Sequence, residues 1–135
     1  MNIDKKYYQE INENLTNTIQ DTNISAPNKK VGKVRDAYFL NDKVVMISTD
    51  RQSAFDRVLA AIPYKGAVLN SVSAWWFKKT EHLFPNHLIS TPDPNVSIVE
   101  KCTVFPVEFV VRGYITGTTD TSLWTVYNNG DREYC

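Results

Sequence analysis

The sequence predicts an α+β fold, a mainly antiparallel β-sheet lobe with flanking helices. Short runs rich in β-branched and aromatic residues succeed one another between turn signals, from KVGKVRDAYFL (30–40) to EFVVRGYIT (108–116). Two other stretches, 4–20 and 67–80, carry their apolar residues at helical spacing. No internal repeat, low-complexity tract or clear linker interrupts the pattern, so the strands and helices read as one α+β arrangement.

The elements follow in order. Tyr7/Tyr8, Ile11, Leu15 and Ile19 recur among polar residues, which predicts one amphipathic helix over 4–20, broken by the DTNISAPNKK segment around Pro27. KVGKVRDAYFL and KVVMIST are two strands joined at Asn41-Asp42, a hairpin signal without the preferred glycine. VLAAI is a further strand, closed by Pro63 and Lys65-Gly66. In 67–80, Val68/Leu69, Val72 and Trp75/Trp76 share one face, so this helix is expected to bury them, and Trp75, Trp76 and Phe77 read as core. HLIS and SIVEKCTVF are short strands separated by TPDPN, whose prolines argue against regular structure there. EFVVRGYIT is the last strand, and TDTSLWTVYNNG reads as a short helix begun by a Thr or Asp cap and ended near Gly130.

Composition bounds the function. The 135 residues are 42% hydrophobic and 22% charged, the profile of a folded domain. Lys plus Arg equals Asp plus Glu at 15 each, which leaves no charge excess to drive nucleic-acid or membrane-surface binding. The N-terminus has no apolar signal region, and no run approaches the roughly 18–20 apolar residues that span a bilayer. A cytoplasmic location is expected, with self-association left open. Cys102 and Cys135 make no metal motif with His82 and His87, which read as surface or edge residues. The ending NNGDREYC reads as the edge of a partial chain, a loose natural terminus being the alternative.

Three stretches could carry chemistry. STDRQSAFD (48–56) sets Asp50, Ser53 and Asp56 beside Phe55, a mixture suited either to a ligand-facing loop or to a capped turn with Phe55 packed inward. GKVRD (32–36) places a glycine and two cations at the start of a hairpin. Lys33 and Arg35 point to one side if the segment is a strand, where they suit a polyphosphate or form a solvated face. In VEFVVRGYITGTTD (107–120), Arg112 shares a strand face with Glu108, which would be its ion-pair partner. The other reading joins Arg112 to Thr118 and Gly117, just before a helix N-terminus, as a monophosphate site.

GKVRDAY (32–38), STDRQSAFD (48–56), KGAVLN (65–70) and VEFVVRGYITGT (107–118), taken in this order, resemble the phosphoribosylaminoimidazole-succinocarboxamide synthase (SAICAR synthetase) family. The resemblance runs from about residue 30 and implies a fold similar to kinase and ATP-grasp lobes. Residues 1–105 would be a nucleotide-covering lobe and 106–135 the start of a second part. It implies an ATP-dependent carbon–nitrogen ligase. ATP would phosphorylate the carboxylate of carboxyaminoimidazole ribonucleotide, and the amine of L-aspartate would displace the phosphate. No covalent protein nucleophile is needed.

By position, the resemblance places Gly32, Lys33, Val34 and Arg35 on the phosphate-covering hairpin, and Glu100, Lys101 and Cys102 on the adenine-facing hinge. Arg112 and Thr118 fall where the ribonucleotide 5′-phosphate is gripped, and Asp50, Ser53 and Asp56 fall in the substrate-side loop. Gln52 stands where relatives often carry an apolar residue, and Thr118 where serine is common, although threonine keeps the hydroxyl. Family members continue past Cys135 with the acidic Mg²⁺ ligands, so the chain alone is expected to be inactive. The competing readings are a non-catalytic nucleotide-binding fragment and a kinase-like phosphotransferase lobe, the latter disfavoured by the missing kinase glycine loop and V-A-I-K and H-R-D motifs.

Overall fold

A computed structural model describes residues 5–107 and 109–133. They form two units, one ending at Cys102 and one beginning at Thr103. The first unit is built on a five-stranded antiparallel sheet of order β1-β2-β3-β7-β6, beside a two-stranded β4-β5 ribbon. Its strands are β1 (Lys29–Val31), β2 (Arg35–Phe39), β3 (Lys43–Ser48), β4 (Arg51–Ala54), β5 (Arg57–Ala61), β6 (Leu88–Asp93) and β7 (Val96–Glu100), with helices α1 (Lys5–Glu13) and α2 (Lys65–Thr80). The α+β expectation stands.

Pleating assigns the two faces. Registers Val44↔Val99 and Met46↔Ser97 put these residues on one face, while Asp36↔Ile47 and Tyr38↔Val45 occupy the other. Val44, Ile47, Val99 and Tyr38 are buried in the middle of the sheet, each worth about 1.5–3 kcal/mol of burial. The Asn41-Asp42 hairpin forms as expected, closed by Leu40 N–H donating to Lys43 C=O at 2.9 Å. Neither turn residue has positive φ, so no glycine is required.

Several expectations are corrected. The long strand 30–40 is broken: β1 ends at Val31, β2 begins at Arg35, and the two pair as an antiparallel hairpin about Gly32–Val34. The N-terminal helix stops at Glu13 rather than near 20. Asn14 turns its side chain back to the Glu10 carbonyl at 2.9 Å, and Ile19 is drawn off to pair with Asp50. Strand β6 runs through Pro92 to Asp93, which an edge position and two register shifts allow.

Helix α2 buries Gly66 and Asn70 rather than its aromatic face, and Trp75 and Trp76 stay 53% and 57% exposed. The contact is polar and close. Asn70 accepts from the Ser97 hydroxyl at 2.8 Å and donates to the Pro94 carbonyl at 3.0 Å. A Cβ on Gly66 would lie 2.2 Å from the Ser48 carbonyl oxygen, so only glycine lets the helix sit this near β3. Phe77 is half-buried, edge-on to His87 at 5.1 Å.

In the second unit, helix α3 (Leu123–Asn128) is capped by Ser122, not by a Thr or Asp, with Thr125 N–H donating to Ser122 Oγ at 3.3 Å. The expected strand 108–116 does not form: no described residue between 103 and 118 is in a strand, and Phe109, Val110 and Val111 are exposed. Without a neighbouring strand, the apolar run has nothing to pair with inside the unit.

Candidate functional site

The turn Gly32–Val34 is held from inside by two side chains that follow β3. Arg51 Nη2 donates to Gly32 C=O at 3.0 Å, and Arg51 Nε donates to Lys33 C=O at 3.2 Å. Thr49 donates to Val34 C=O through its backbone N–H at 3.0 Å and its hydroxyl at 2.9 Å. Gly32 N–H closes the turn on Arg35 C=O at 2.7 Å. All three carbonyls of the turn are therefore directed into the protein.

Arg51 is itself anchored. Its Nη2 also donates to Asp36 Oδ1 at 2.7 Å, and its Nη1 donates to Gln20 C=O at 2.5 Å. Asp36 Oδ2 accepts from the Thr22 hydroxyl at 2.7 Å and pairs with Lys29 Nζ at 3.2 Å, while Tyr38 OH donates to Thr22 C=O at 2.8 Å. Burial alone would raise the Asp36 carboxyl, but bonds from Arg51, Thr22 and Lys29 outweigh it and hold the group below its ordinary 3.8. Among the described residues, no buried side-chain nitrogen or oxygen lacks a partner.

Asp50 is 2% exposed, and backbone donors occupy both of its oxygens: Ile19 N–H at 2.8 Å and Gly66 N–H at 2.9 Å. It ties the N-terminal segment to the start of α2, where an anion also suits the helix dipole. In this structure it has no oxygen turned to a ligand. Ser53 is half-buried on β4, opposite Val58.

Within STDRQSAFD, strand β4 turns back on β5 as a hairpin. Phe55 and Asp56 form its tip with φ of 50° and 61°, the left-handed pair of a primed turn. Phe55 is 95% exposed, which overturns the inward-packed alternative. At the tip Asp56 Oδ1 meets Lys33 Nζ at 2.5 Å, and this lowers the Asp56 carboxyl. Two motifs given separate ligands by the sequence thus meet in one ion pair. Lys33 lies in the turn and not on a strand, so the same-side argument for Lys33 and Arg35 does not hold. Arg35 instead lines a cleft of about 70 Å³ with Asn70, Phe77 and His87.

At the other end of the β1-β2 hairpin, Lys101 borders an open cleft of about 420 Å³ with Asn28, Phe39 and Leu40. Lys101 N–H donates to Asp42 C=O at 3.0 Å, and Glu100 N–H donates to His87 C=O at 2.8 Å. Cys102 is exposed, its thiol 3.6 Å from the Glu100 carbonyl.

Within the second unit, Arg112, Thr116, Gly117 and Thr118 line one open cleft of about 990 Å³. Arg112 is exposed, lies on no strand and reaches Thr116 Oγ1 at 3.4 Å. Its proposed partner Glu108 lies outside the described residues. Thr118 is separated from α3 by the Thr119–Ser122 turn, and Ser122 Oγ accepts from Thr125 N–H, the third amide of the helix.

Sequence reasoning missed Asp36, Arg51 and Thr22. Asp36 directly follows Arg35, two residues before Tyr38. A signal was present, since a carboxylate alternating with buried apolar positions on a strand requires a cation.

A family model for SAICAR synthetase matches residues 28–132. The phosphoribosylaminoimidazole-succinocarboxamide synthase of Legionella pneumophila (strain Lens) is 62% identical over 117 residues, covering 87% of this chain and 38% of that protein. The chloroplastic enzyme of Arabidopsis thaliana is 58% identical over 130 residues, covering 93% and 32%. Among solved structures, the SAICAR synthase of Saccharomyces cerevisiae complexed with SAICAR superposes with a TM-score of 0.72 at 30% identity, over 83% of this chain and 45% of that one. A type-2 SAICAR synthetase in complex with ADP gives 0.54 at 30% identity, over 58% and 35%. The chain thus spans less than half the length of these relatives. On this match the chain belongs to the SAICAR synthetase family.

Proposed function

We propose that the chain is the nucleotide-covering portion of a phosphoribosylaminoimidazole-succinocarboxamide synthase, a ligase of purine biosynthesis. The γ-phosphoryl of ATP passes to the carboxylate of carboxyaminoimidazole ribonucleotide, leaving ADP and an acyl phosphate. The amine of L-aspartate then attacks the acyl carbon, the C–N bond forms, inorganic phosphate leaves and the nitrogen gives up a proton. The observation that carries this reading is the Gly32–Val34 turn, its carbonyls tied inward and Lys33 at its surface, in a chain of this family.

In this reading the nucleotide runs along the β1-β2 hairpin. Adenine lies at the Lys101 end, beside Glu100 and Cys102, and the phosphates lie under Gly32, Lys33, Val34 and Arg35. Lys33 exchanges Asp56 for phosphate when ATP enters. Arg112 and Thr118 take the 5′-phosphate of the ribonucleotide, for which their shared cleft is support. Ser53 and Asp56 sit on the substrate side, and Asp50 acts through the segments it ties together. The first 105 residues serve as the covering lobe and 106–135 begin the second part.

Magnesium accompanies ATP in this reading. Among the described residues, no three His, Cys, Asp or Glu side chains group closely enough to hold a metal. Among the same residues no helix is long and apolar enough to cross a membrane. A cytoplasmic location and substrates limited to small molecules, with no nucleic-acid or membrane partner, complete the proposal.

The test is aspartate-dependent ADP release by a complete enzyme, made by joining this chain to the C-terminal part of the Legionella relative. Lys33→Ala and Arg35→Ala should each raise the KM for ATP about tenfold or more, since a charged contact is worth about 1.5–3 kcal/mol. ADP release that ignores aspartate would overturn the ligase reading.

A further inference from the structure

We infer that Arg51, with Thr49, is the positioning device of the phosphate-covering turn; the consequence for ATP rests on the function proposed above. Arg51 stands at the head of β4, 8% exposed, and spends four donor contacts on three segments: the turn at Gly32 and Lys33, the N-terminal segment at Gln20, and β2 at Asp36. An ion pair with Asp36 alone would require only one of these contacts. Nε and Nη2 reach successive carbonyls of the turn, a task suited to a rigid planar fork.

The direction of those carbonyls matters. A trans peptide is planar, so its N–H points opposite to its C=O. With Lys33 C=O drawn onto Arg51, the Val34 N–H faces the side of the turn away from the guanidinium. The clamp therefore fixes the height of the turn over the hairpin and which edge of its backbone is outermost. A ligand anion placed there meets a backbone already in position, with no ordering left to do at binding.

Arg51→Lys separates positioning from plain stability, because lysine keeps the charge opposite Asp36 and gives up the fork. Amide hydrogen exchange on the 135-residue chain reads the first effect. Exchange at Gly32, whose N–H closes the turn on Arg35, should speed up about tenfold, with β3 and β7 unchanged as internal reference. Equal acceleration throughout the sheet, or none in the turn, would overturn the inference. Steady-state kinetics of the joined enzyme read the second effect. The KM for ATP should rise about tenfold, while the KM values for aspartate and ribonucleotide stay within about twofold. A fall in kcat alone would mark Arg51 as merely structural. If wild-type joined enzyme releases no ADP with aspartate, the ligase reading fails while exchange still decides the clamp. Should Arg51→Lys fail to fold, Thr49→Val removes the hydroxyl bond to Val34 and leaves the ion pair intact. The same local acceleration, about threefold, is then expected, and its absence would count against the inference.

Discussion

Asp36 Oδ1 and Arg51 Nη2 meet at 2.7 Å with almost no solvent, Asp36 being 0% exposed. A pair this buried gains little over a well-packed apolar replacement, but breaking it from one side strands a charge. Asp36→Ala should therefore destabilise the first unit by roughly 3–5 kcal/mol. The double variant Asp36→Leu/Arg51→Met should recover only the part due to the stranded charge, because the carbonyls of Gly32, Lys33 and Gln20 lose their donor. Urea unfolding followed by circular dichroism measures both. A single-variant cost below about 1 kcal/mol would mean that the pair is solvated in practice.

The same carboxylate predicts the acid limb of stability. Its folded pKa lies below the ordinary 3.8, so its contribution is complete above 3.8 and drains away as pH falls from 3.8 through the folded value. Asp36→Asn should flatten this part of the stability–pH curve. Lys29, raised above its ordinary value chiefly by its bond to Asp21, stays charged throughout the window and supplies no compensating slope. An unchanged acid limb in the variant would assign the proton uptake to other carboxylates.

Asp50 is expected to act as a tie. Asp50→Ala removes acceptors from Ile19 and Gly66 together and should cost about 2–3 kcal/mol, whereas Asp50→Asn keeps one acceptor and should cost about 1 kcal/mol. Faster proteolysis near residue 19 in the alanine variant would accompany the loss. Equal stability of the two variants would argue against the two-sided role.

Gly66→Ala tests the close seat of α2. A Cβ 2.2 Å from the Ser48 oxygen and 2.6 Å from Asn95 Nδ2 forces backbone to move, at roughly 1–3 kcal/mol or more. Melting should fall despite alanine's better helix propensity. A rise in melting temperature would show that the helix relaxes freely.

Arg112 is exposed, so Arg112→Lys should leave melting unchanged. In the joined enzyme it should raise the KM for the ribonucleotide roughly tenfold, because an ammonium cannot copy the planar fork. Thr118→Val should act in the same direction more weakly, and Thr118→Ser should be nearly silent. Unchanged ribonucleotide kinetics in Arg112→Lys would remove the residue from the phosphate site.

Local patterns were legible where backbone chemistry acts locally. Asp36 and Tyr38, two apart on β2, are buried on one face as the strand period requires, and Asn41-Asp42 turns the chain where the polar pair interrupts the apolar runs. The break at Gly32–Val34 was not legible, because Lys33 and Val34 have no turn propensity of their own. They turn because Arg51 and Thr49, some sixteen residues on, take their carbonyls. The aromatic stripe of α2 misled for a related reason. Periodicity marks a face but does not name its contact, and the helix docks through Gly66 and Asn70 instead.

The sequence by itself determined the α+β class, the hairpin at Asn41-Asp42 and, through four ordered motifs, the family. Those features depend on side-chain period, turn chemistry and motif identity, all of which survive in one dimension. Only the tertiary structure decided that Asp36 and Arg51 are partners, that Asp50 faces inward and that Lys33 meets Asp56. Such choices are set by which donors and acceptors the fold brings within about 3 Å when water is withdrawn, and residues 15–31 positions apart carry no local record of that meeting.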